Sequence, residues 1–224
     1  MSPLYGISWR GINPPWYLLA CGIIVASLIS GFSSDVVARQ IKLLALGDSL
    51  TAGYGLAKPD GFTEQLQRAL RAEGEEIVVI NAGVSGDTSA GGHARLGWAL
   101  ADKPDAVILE LGANDGLRGI EPEVTGSNLN AILTELDSHG IPVLLAGMLA
   151  PPNLGREYGR EFEAVFTRLS KAHEVVFYPF FLDGVVGMPG LNLADGMHPN
   201  KEGVAVLVQR ILPSVRELLE RVSN

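Results

Sequence analysis

The chain has 224 residues, a formal net charge of −8 at pH 7 and 47% hydrophobic residues. This length allows one α/β domain preceded by a short targeting segment. The acidic balance and the lack of any Lys/Arg run argue against a nucleic-acid partner. The four His and one Cys form no cluster with the spacing of metal ligands, so we expect no metal site.

The N-terminal part of the chain has the features of an export signal. Arg10 supplies a positive flank, and residues 16–32 form an uncharged apolar run. Residues 36–38, Val-Val-Ala, then offer small side chains suited to signal cleavage. The apolar run also reaches the lower length limit for spanning a bilayer, so an uncleaved anchor in the inner membrane is the alternative. We therefore expect residues 1–38 to be a signal peptide or anchor, residues 39–224 to be the functional domain, and the protein to be exported to the periplasm.

Short apolar runs alternate with amphipathic stretches along the rest of the chain. The runs lie at residues 41–46, 77–80, 106–111, 143–146 and 175–178, and they are typical of strands buried on both faces of a parallel sheet. Between and after them, apolar residues recur at helical spacing. The four groups are Phe62, Leu66, Ala69 and Leu70; Leu129, Ile132, Leu133 and Leu136; Phe162, Val165, Phe166 and Leu169; and Val204, Leu207, Val208, Ile211, Val215, Leu218 and Val222, with a bend expected at Pro213. This alternation predicts right-handed crossovers and a three-layer α/β/α sandwich around a five-stranded parallel sheet.

Four short motifs carry the residues that could perform chemistry. Three follow the first three predicted strands, and the fourth precedes the last helix. They are Gly47-Asp48-Ser49-Leu50, Gly83-Val84-Ser85-Gly86-Asp87, Gly112-Ala113-Asn114-Asp115 and Asp195-Gly196-Met197-His198. Because ligands of such folds bind beyond the carboxyl ends of the strands, the fold would gather the first three motifs at one edge.

These motifs contain the parts of a serine hydrolase. A serine at a strand-to-helix turn, such as Ser49, exposes its hydroxyl. Asp195 stands three residues before His198, so it can accept from one ring nitrogen while the other takes a proton from the serine. The N–H groups of Ser49 and Gly86 and the amide of Asn114 are candidate donors to an oxyanion. Each motif alone would also suit a turn or a helix cap.

The sequence contains no Gly-x-Ser-x-Gly, so the nucleophile elbow of the α/β-hydrolases is absent. Glu110 is a carboxylate in a buried strand, and we expect it to pair with a neighbouring loop N–H rather than to act in catalysis.

In these motifs and the residues that flank them, the chain resembles the GDSL, or SGNH, hydrolases. Within that family it is most similar to the bacterial exported thioesterases, lysophospholipases and arylesterases. The resemblance covers about residues 41–215 and implies a flavodoxin-like fold without metal or organic cofactor. It assigns Ser49, His198 and Asp195 to a catalytic triad, and Ser49, Gly86 and Asn114 to an oxyanion hole. It also places substrate binding in the loop after the third motif and in residues 148–158. The substrate-binding candidates are Gly116, Leu117, Arg118, Ile120, Leu149, Pro151 and Tyr158.

The expected activity is hydrolysis of ester or thioester bonds in small apolar acyl substrates, because the loop segments are rich in apolar side chains. A lipid substrate or an uncleaved N-terminus would bring the protein into contact with a membrane. A carbohydrate acetylesterase is the enzymatic alternative, and it would have an open polar cleft. A non-catalytic binding module on the same scaffold is the third interpretation, and it would lack part of the motif set. The sequence does not separate acyl-CoA, lysophospholipid and aryl ester as the natural substrate.

Overall fold

The computed structural model of the chain describes residues 39–222 and Gly6. The predicted signal peptide or anchor therefore lies, apart from Gly6, outside the described residues. Within residues 39–222, no helix is both long enough and apolar enough to cross a membrane.

Five parallel strands form the central sheet, as the alternation of apolar runs predicts. The strands are β1 (Ile41–Gly47), β2 (Ile77–Gly83), β3 (Ala106–Glu110), β4 (Val143–Ala146) and β5 (Val176–Tyr178). Their spatial order is β2-β1-β3-β4-β5, which is the order of flavodoxin-like sheets.

Helices occupy the segments between the strands and after the last one. They are α1 (Ser49–Ala52), α2 (Phe62–Ala72), α3 (Ser89–Ala94), α4 (Leu96–Ala99), α5 (Ala113–Leu117), α6 (Pro122–Ser138), α7 (Arg156–Ala172) and α8 (Lys201–Val222), with 3-10 turns at Lys58–Asp60, Leu100–Asp102 and Pro152–Leu154.

The helices pack in two groups, one on each face of the sheet. Crossovers between parallel strands are right-handed, so a chain that reverses its direction across the sheet also changes the face that its helix covers. The step from β1 to β2 runs one way across the sheet and every later step runs the other way. Helix α2 accordingly packs against α8, whereas α6 packs against α3 and α7. The result is the predicted three-layer sandwich.

The apolar stripes of the helices cover the sheet. In α2, the side chains of Phe62, Leu66 and Leu70 are fully buried. In α8, Val215 is fully buried and Ile211 is almost fully buried. Burying a side chain of this size contributes about 1.5–3 kcal/mol relative to leaving it exposed, so the repeated stripe holds each helix to the sheet. The predicted helical spacing is confirmed in all four groups.

Two features differ from the sequence-based expectation. The edge strand β2 extends to Gly83 and is only partly buried, with Asn81 exposed, because it has a strand neighbour on one side only. The prediction that all five strands are buried on both faces is therefore wrong for β2, and also for the other edge strand, β5, in which Phe177 and Tyr178 are only partly buried. Helix α8 also runs unbroken through Pro213, so the proline removes one backbone hydrogen bond without ending the helix. The bend expected there stays a prediction.

The register of the strands brings the motifs to one edge of the sheet. Gly47 at the end of β1 pairs with Gly83 of β2 on one side and with Glu110 of β3 on the other. The residues that follow these three strands therefore meet where the strand order reverses. This is the place at which open α/β sheets bind ligands.

Candidate active site

The turn after β1 presents the serine hydroxyl. Asp48 is the N-cap of α1, and its Oδ1 accepts from the N–H of Leu50 at 3.0 Å. Ser49 is thereby the first residue of the helix. A Cβ on Gly47 would collide with the side chains of Thr51 and Glu110, so this close approach requires glycine.

The loop before α8 brings an imidazole to that hydroxyl. His198 Nε2 lies 2.9 Å from Ser49 Oγ, and His198 Nδ1 lies 2.7 Å from Asp195 Oδ2. Asp195 Oδ1 also accepts from the backbone N–H groups of Met197 and His198, at 2.9 and 3.0 Å. These two backbone hydrogen bonds, together with the one from the His198 side chain, lower the pKa of Asp195 to about 2. The carboxylate is therefore ionised throughout the pH range in which a histidine accepts a proton.

Two backbone N–H groups near the serine are free to bind an oxyanion. Within residues 39–222, the N–H groups of Ser49 and Gly86 donate to no other group. Gly86 has φ +83°, the left-handed conformation that favours glycine, and a Cβ there would have no neighbour closer than Arg118 at 4.0 Å. The backbone of Gly86 is thus exposed, and Gly86 lines the same cavity as Ser49.

The third predicted donor is already engaged on both of its N–H bonds. Asn114 Nδ2 donates to Asp48 Oδ2 at 3.1 Å and to the carbonyl of Asp87 at 2.9 Å. These acceptors fix the orientation of the amide, and a substrate oxygen would have to share one of its protons. The sequence did not single out Asp48, although the N-cap position of its motif is a signal for a structured carboxylate.

A buried carboxyl pair lies under the serine turn. Both Asp48 and Glu110 are fully buried. Glu110 Oε2 accepts from the N–H of Asp48 at 3.3 Å and from the hydroxyl of Thr51 at 2.7 Å, which confirms the expected pairing with a loop N–H. Within the described part of the chain, Glu110 Oε1 has no hydrogen-bond partner.

Burial raises the pKa of both carboxyl groups. It raises the pKa of Asp48 to about 6, although hydrogen bonds from Leu50 and Asn114 act in the other direction. Burial, followed by the charge of Asp48, raises the pKa of Glu110 well above its usual value. Since two adjacent carboxylates cannot both ionise cheaply, the ionised form of Asp48 favours the protonated form of Glu110. Asp48 is then the ionised acceptor for Asn114.

Arg95 joins the second motif to the sheet, and sequence reasoning did not single it out either. Its guanidinium donates to Asp87 Oδ2 at 2.6 Å, to the carbonyl of Ala82 at 2.8 Å and to the carbonyl of Gly47 at 2.9 Å. One side chain therefore connects the ends of β1 and β2 with the loop that carries Gly86.

A cavity of about 670 Å³ opens beside these groups. Ser49, Gly86, Asn114 and His198 line its polar end. The apolar wall includes Leu117, Met148, Leu149, Phe180, Leu182 and Val186. The last three follow β5, in a segment that has no recognisable sequence motif.

Only part of the predicted substrate-binding set lines this cavity. Leu117, Leu149 and Pro151 do so, whereas Gly116, Arg118, Ile120 and Tyr158 lie outside its lining. The Tyr158 hydroxyl donates to the carbonyl of Ile120 at 2.6 Å, and Arg118 donates to the carbonyl of Gly86 at 2.8 Å. Gly116 faces Phe162 and the backbone of Ala150. These four residues hold the loops that surround the cavity.

Comparisons with known proteins agree with this arrangement. The GDSL-like Lipase/Acylhydrolase family matches residues 45–206 of the chain. The chain is 42% identical over 199 residues to the esterase TesA of Pseudomonas aeruginosa, which covers 87% of this chain and 99% of that protein. It is 35% identical to thioesterase 1/protease 1/lysophospholipase L1 of Escherichia coli K12, over 81% of this chain and 86% of that protein.

A solved structure extends the similarity to the fold. The crystal structure of AlinE4, an SGNH-hydrolase family esterase, matches with a TM-score of 0.69 and 44% identity, over 81% of this chain and 97% of that one. The motifs, the sheet order and the family match lead to the same conclusion: the chain belongs to the GDSL-like lipase/acylhydrolase family and is an acyl ester hydrolase.

Proposed function

We propose that the chain is a serine hydrolase that cleaves ester or thioester bonds of apolar acyl substrates, with Ser49, His198 and Asp195 as its catalytic triad. The observation that carries this proposal is the line of contacts from Ser49 Oγ through His198 to Asp195, at 2.9 and 2.7 Å. Free N–H groups and an apolar cavity adjoin that line of contacts.

In the first half of the reaction, Ser49 Oγ attacks the acyl carbonyl carbon as its proton passes to His198 Nε2. The carbonyl electron pair moves onto oxygen and forms a tetrahedral oxyanion. The N–H groups of Ser49 and Gly86 and the amide of Asn114 donate to that oxygen. Asp195 keeps the proton on His198 Nδ1, so Nε2 is the nitrogen that is free to accept.

In the second half, the imidazolium returns its proton. His198 Nε2 protonates the departing oxygen or sulfur, and the tetrahedral intermediate collapses to an ester on Ser49. Water then attacks this acyl-enzyme, again giving its proton to His198, and the carboxylic acid leaves as Ser49 recovers its hydrogen.

The cavity wall supports an apolar acyl group as the substrate. Leu117, Leu149 and Val186 offer no side-chain donor or acceptor to a sugar hydroxyl, and Met148 offers only a weak acceptor, whereas each buried methylene of an acyl chain contributes about 0.8 kcal/mol. A carbohydrate acetylesterase would need a polar cleft. Acyl-CoA and lysophospholipid esters both fit the proposed chemistry.

We further propose that residues 1–38 direct export to the periplasm, with cleavage before Arg39. N-terminal sequencing of the exported protein tests this proposal. A start near Arg39 supports cleavage, and an intact Met1 supports an anchor at residues 16–32.

A panel of p-nitrophenyl esters, from acetyl to palmitoyl, tests the activity. We expect kcat/KM to rise by up to about fourfold per methylene until the cavity is filled. Ser49→Ala should be inactive on every ester, and equal rates for the variant and the wild type would refute the nucleophile. Strict preference for acetyl, with acetate released from xylan or pectin, would favour the carbohydrate acetylesterase.

A variant pair tests whether the apolar cavity binds the acyl chain. Leu149 lines the cavity and is 45% exposed, and Val124 is 50% exposed but lies outside the lining. Leu149→Trp should reduce kcat/KM for long esters while leaving the acetyl ester unchanged, and Val124→Trp should affect neither. Equal loss on all chain lengths for Leu149→Trp would contradict acyl binding in this cavity.

A further inference from the structure

Tyr54 is a half-exposed aromatic residue whose ring lies against the imidazole of His198. The ring centroids are 4.5 Å apart and the ring planes are inclined by 35°. The side chain of Tyr54 is 52% exposed, and it is not part of the hydrophobic core. Within residues 39–222 its hydroxyl makes no hydrogen bond. Neither core packing nor a hydroxyl contact therefore accounts for the position of this ring.

The backbone fixes Tyr54 to the same turn that carries Ser49. Helix α1 ends at Ala52, and the N–H of Tyr54 donates to the carbonyl of Ser49 at 3.0 Å. Gly53 and Gly55, on either side of Tyr54, have φ +79° and +73°. A Cβ on Gly55 would lie 2.7 Å from Leu193, so the turn packs closely against the loop that carries His198.

The imidazole has defined partners on both of its nitrogens. Asp195 contacts Nδ1 and Ser49 contacts Nε2, which leaves the faces of the ring to be covered. The loop around His198 contains one isolated bridge, between Asn192 and Pro199, and its backbone hydrogen bonds run from Leu193 to the His198 carbonyl, from Gly196 to Leu193 and from Asn200 to Leu191. A loop with so little regular structure gains order from a ring packed against its histidine.

We propose that Tyr54 is a positioning residue for His198. Its aromatic face fixes the plane of the imidazole and stabilises the imidazolium that forms when His198 takes the proton of Ser49. The inference rests on the proposed function, because it assumes that His198 takes a proton from Ser49. The face of an aromatic ring attracts a cation within about 6 Å of its centroid. The charged groups that act on the imidazole besides this ring are Asp195 and Asp48.

Two substitutions separate the aromatic face from the rest of the side chain. Tyr54→Phe keeps the ring and removes the hydroxyl, and Tyr54→Leu keeps an apolar side chain and removes the ring. Tyr54→Met serves as a second ring-free variant. Trp98→Leu is the control for the loss of an exposed aromatic ring, since Trp98 is 74% exposed and, unlike Tyr54, does not line the cavity. Hydrolysis of an acetyl ester with an aryl leaving group, and of one with an alkyl leaving group, is measured across pH.

The expected result is specific to the ring. Tyr54→Leu and Tyr54→Met should lower kcat by about 3- to 10-fold with little change in KM, and Tyr54→Phe should stay within about twofold of wild type. Without the ring the imidazolium is less stable, so the acid limb of the kcat/KM profile should move to lower pH by about 0.5 unit. Trp98→Leu should change neither quantity.

Three results would overturn the inference. They are a wild-type rate and profile for both ring-free variants, an equal loss in Tyr54→Phe, or a loss confined to aryl leaving groups, which would make Tyr54 part of a leaving-group site. Ser49→Ala in the same assay keeps the two proposals apart. If Ser49→Ala is inactive while the ring-free variants match wild type, the inference about Tyr54 fails and the proposed function stands.

Discussion

Asp195 and Asp48 are two carboxyl groups of the same site in opposite surroundings. Asp195 stands in an irregular loop with 31% of its side chain exposed, and hydrogen bonds lower its pKa to about 2. Asp48 stands at the end of a buried strand with no exposed surface, and burial raises its pKa to about 6. Asp195 contacts the imidazole of His198, and Asp48 contacts the amide of Asn114.

The difference shows that solvent exposure determines which task each of two identical side chains can perform. A carboxylate that must balance a developing imidazolium has to remain charged, and partial exposure with three donors ensures that. A carboxylate that orients an amide beneath the reacting atoms can be buried, because its task is geometric. Its burial has a cost, since desolvation opposes ionisation, and the charge of Asp48 adds to the burial that raises the pKa of the neighbouring Glu110.

Substitution of Asp195, the more exposed of the two carboxyl groups, should have the largest effect. Asp195→Asn should lower kcat by about 10²- to 10⁴-fold, because the amide donates to Nδ1 and leaves the proton on the wrong nitrogen. Steady-state kinetics with a p-nitrophenyl ester measures this loss. Asp137→Asn, a change of an exposed aspartate at the end of α6, should retain full activity. Near wild-type kcat in Asp195→Asn would mean that another group orients His198.

Substitution of Asp48, the buried carboxyl group, should reduce activity less. Asp48→Asn replaces the acceptor of Asn114 with a competing donor, so the oxyanion donor is misplaced without being deleted. Deleting such a donor outright costs about 10²- to 10³-fold, and we expect Asp48→Asn to lower kcat by about 10- to 100-fold with little change in KM. Asn114→Ala, measured alongside, should be at least as impaired. A larger loss in Asp48→Asn than in Asn114→Ala would contradict a role through that amide.

The two carboxyl groups should also act on stability with opposite signs. The pKa of Asp48 is higher in the folded protein than its usual 3.8, so its contribution to stability is complete below that value and is lost as the pH rises through about 6. The pKa of Asp195 is lowered, so its contribution is present above pH 3.8 and is lost as the pH falls through about 2.

Urea unfolding at about pH 4 and about pH 7 tests the sign for Asp48. The free energy of unfolding of the wild type should fall relative to that of Asp48→Asn over this interval by up to about 3 kcal/mol. The unfolding of Glu110→Gln is measured alongside, because both carboxyl groups share one buried site. Equal pH dependence in Asp48→Asn and the wild type would show that the Asp48 carboxyl is not desolvated.

The smallest expected effect is at the rim of the site. Arg118 is exposed and donates to the carbonyl of Gly86, a contact that supports the loop without touching the reacting atoms. Arg118→Ala should therefore change kcat by no more than about fivefold, since an exposed contact of this kind contributes about 1 kcal/mol or less. A loss of several hundredfold would mean that Arg118 contacts the substrate.

Local sequence patterns were sufficient to predict the strands and the main helices of the fold. Uninterrupted apolar runs indicated the strands, and helical spacing indicated the buried faces of α2, α6, α7 and α8, because both patterns depend on neighbours in the chain. The rule that parallel strands end at one edge then predicted that the first three motifs would meet.

Contacts between segments that lie far apart in the sequence could not be predicted from local patterns. The cavity wall formed by Phe180, Leu182 and Val186 has no periodic pattern, and the bonds from Arg95 to three separate segments depend on the finished fold. The engagement of Asn114 by Asp48 joins residues 66 positions apart. Tyr54 is a single aromatic residue in a glycine turn, and such a residue carries no signal until its neighbour in the fold is known.

The most direct test of the relay between Ser49 and His198 is the rate of covalent labelling by a p-nitrophenyl alkylphosphonate, followed by p-nitrophenol release and mapped by mass spectrometry. The wild type should be labelled stoichiometrically on Ser49, and His198→Ala should be labelled at least about 10³-fold more slowly, because the hydroxyl then has no base. Labelling of His198→Ala at the wild-type rate, or an adduct on a residue other than Ser49, would contradict the account.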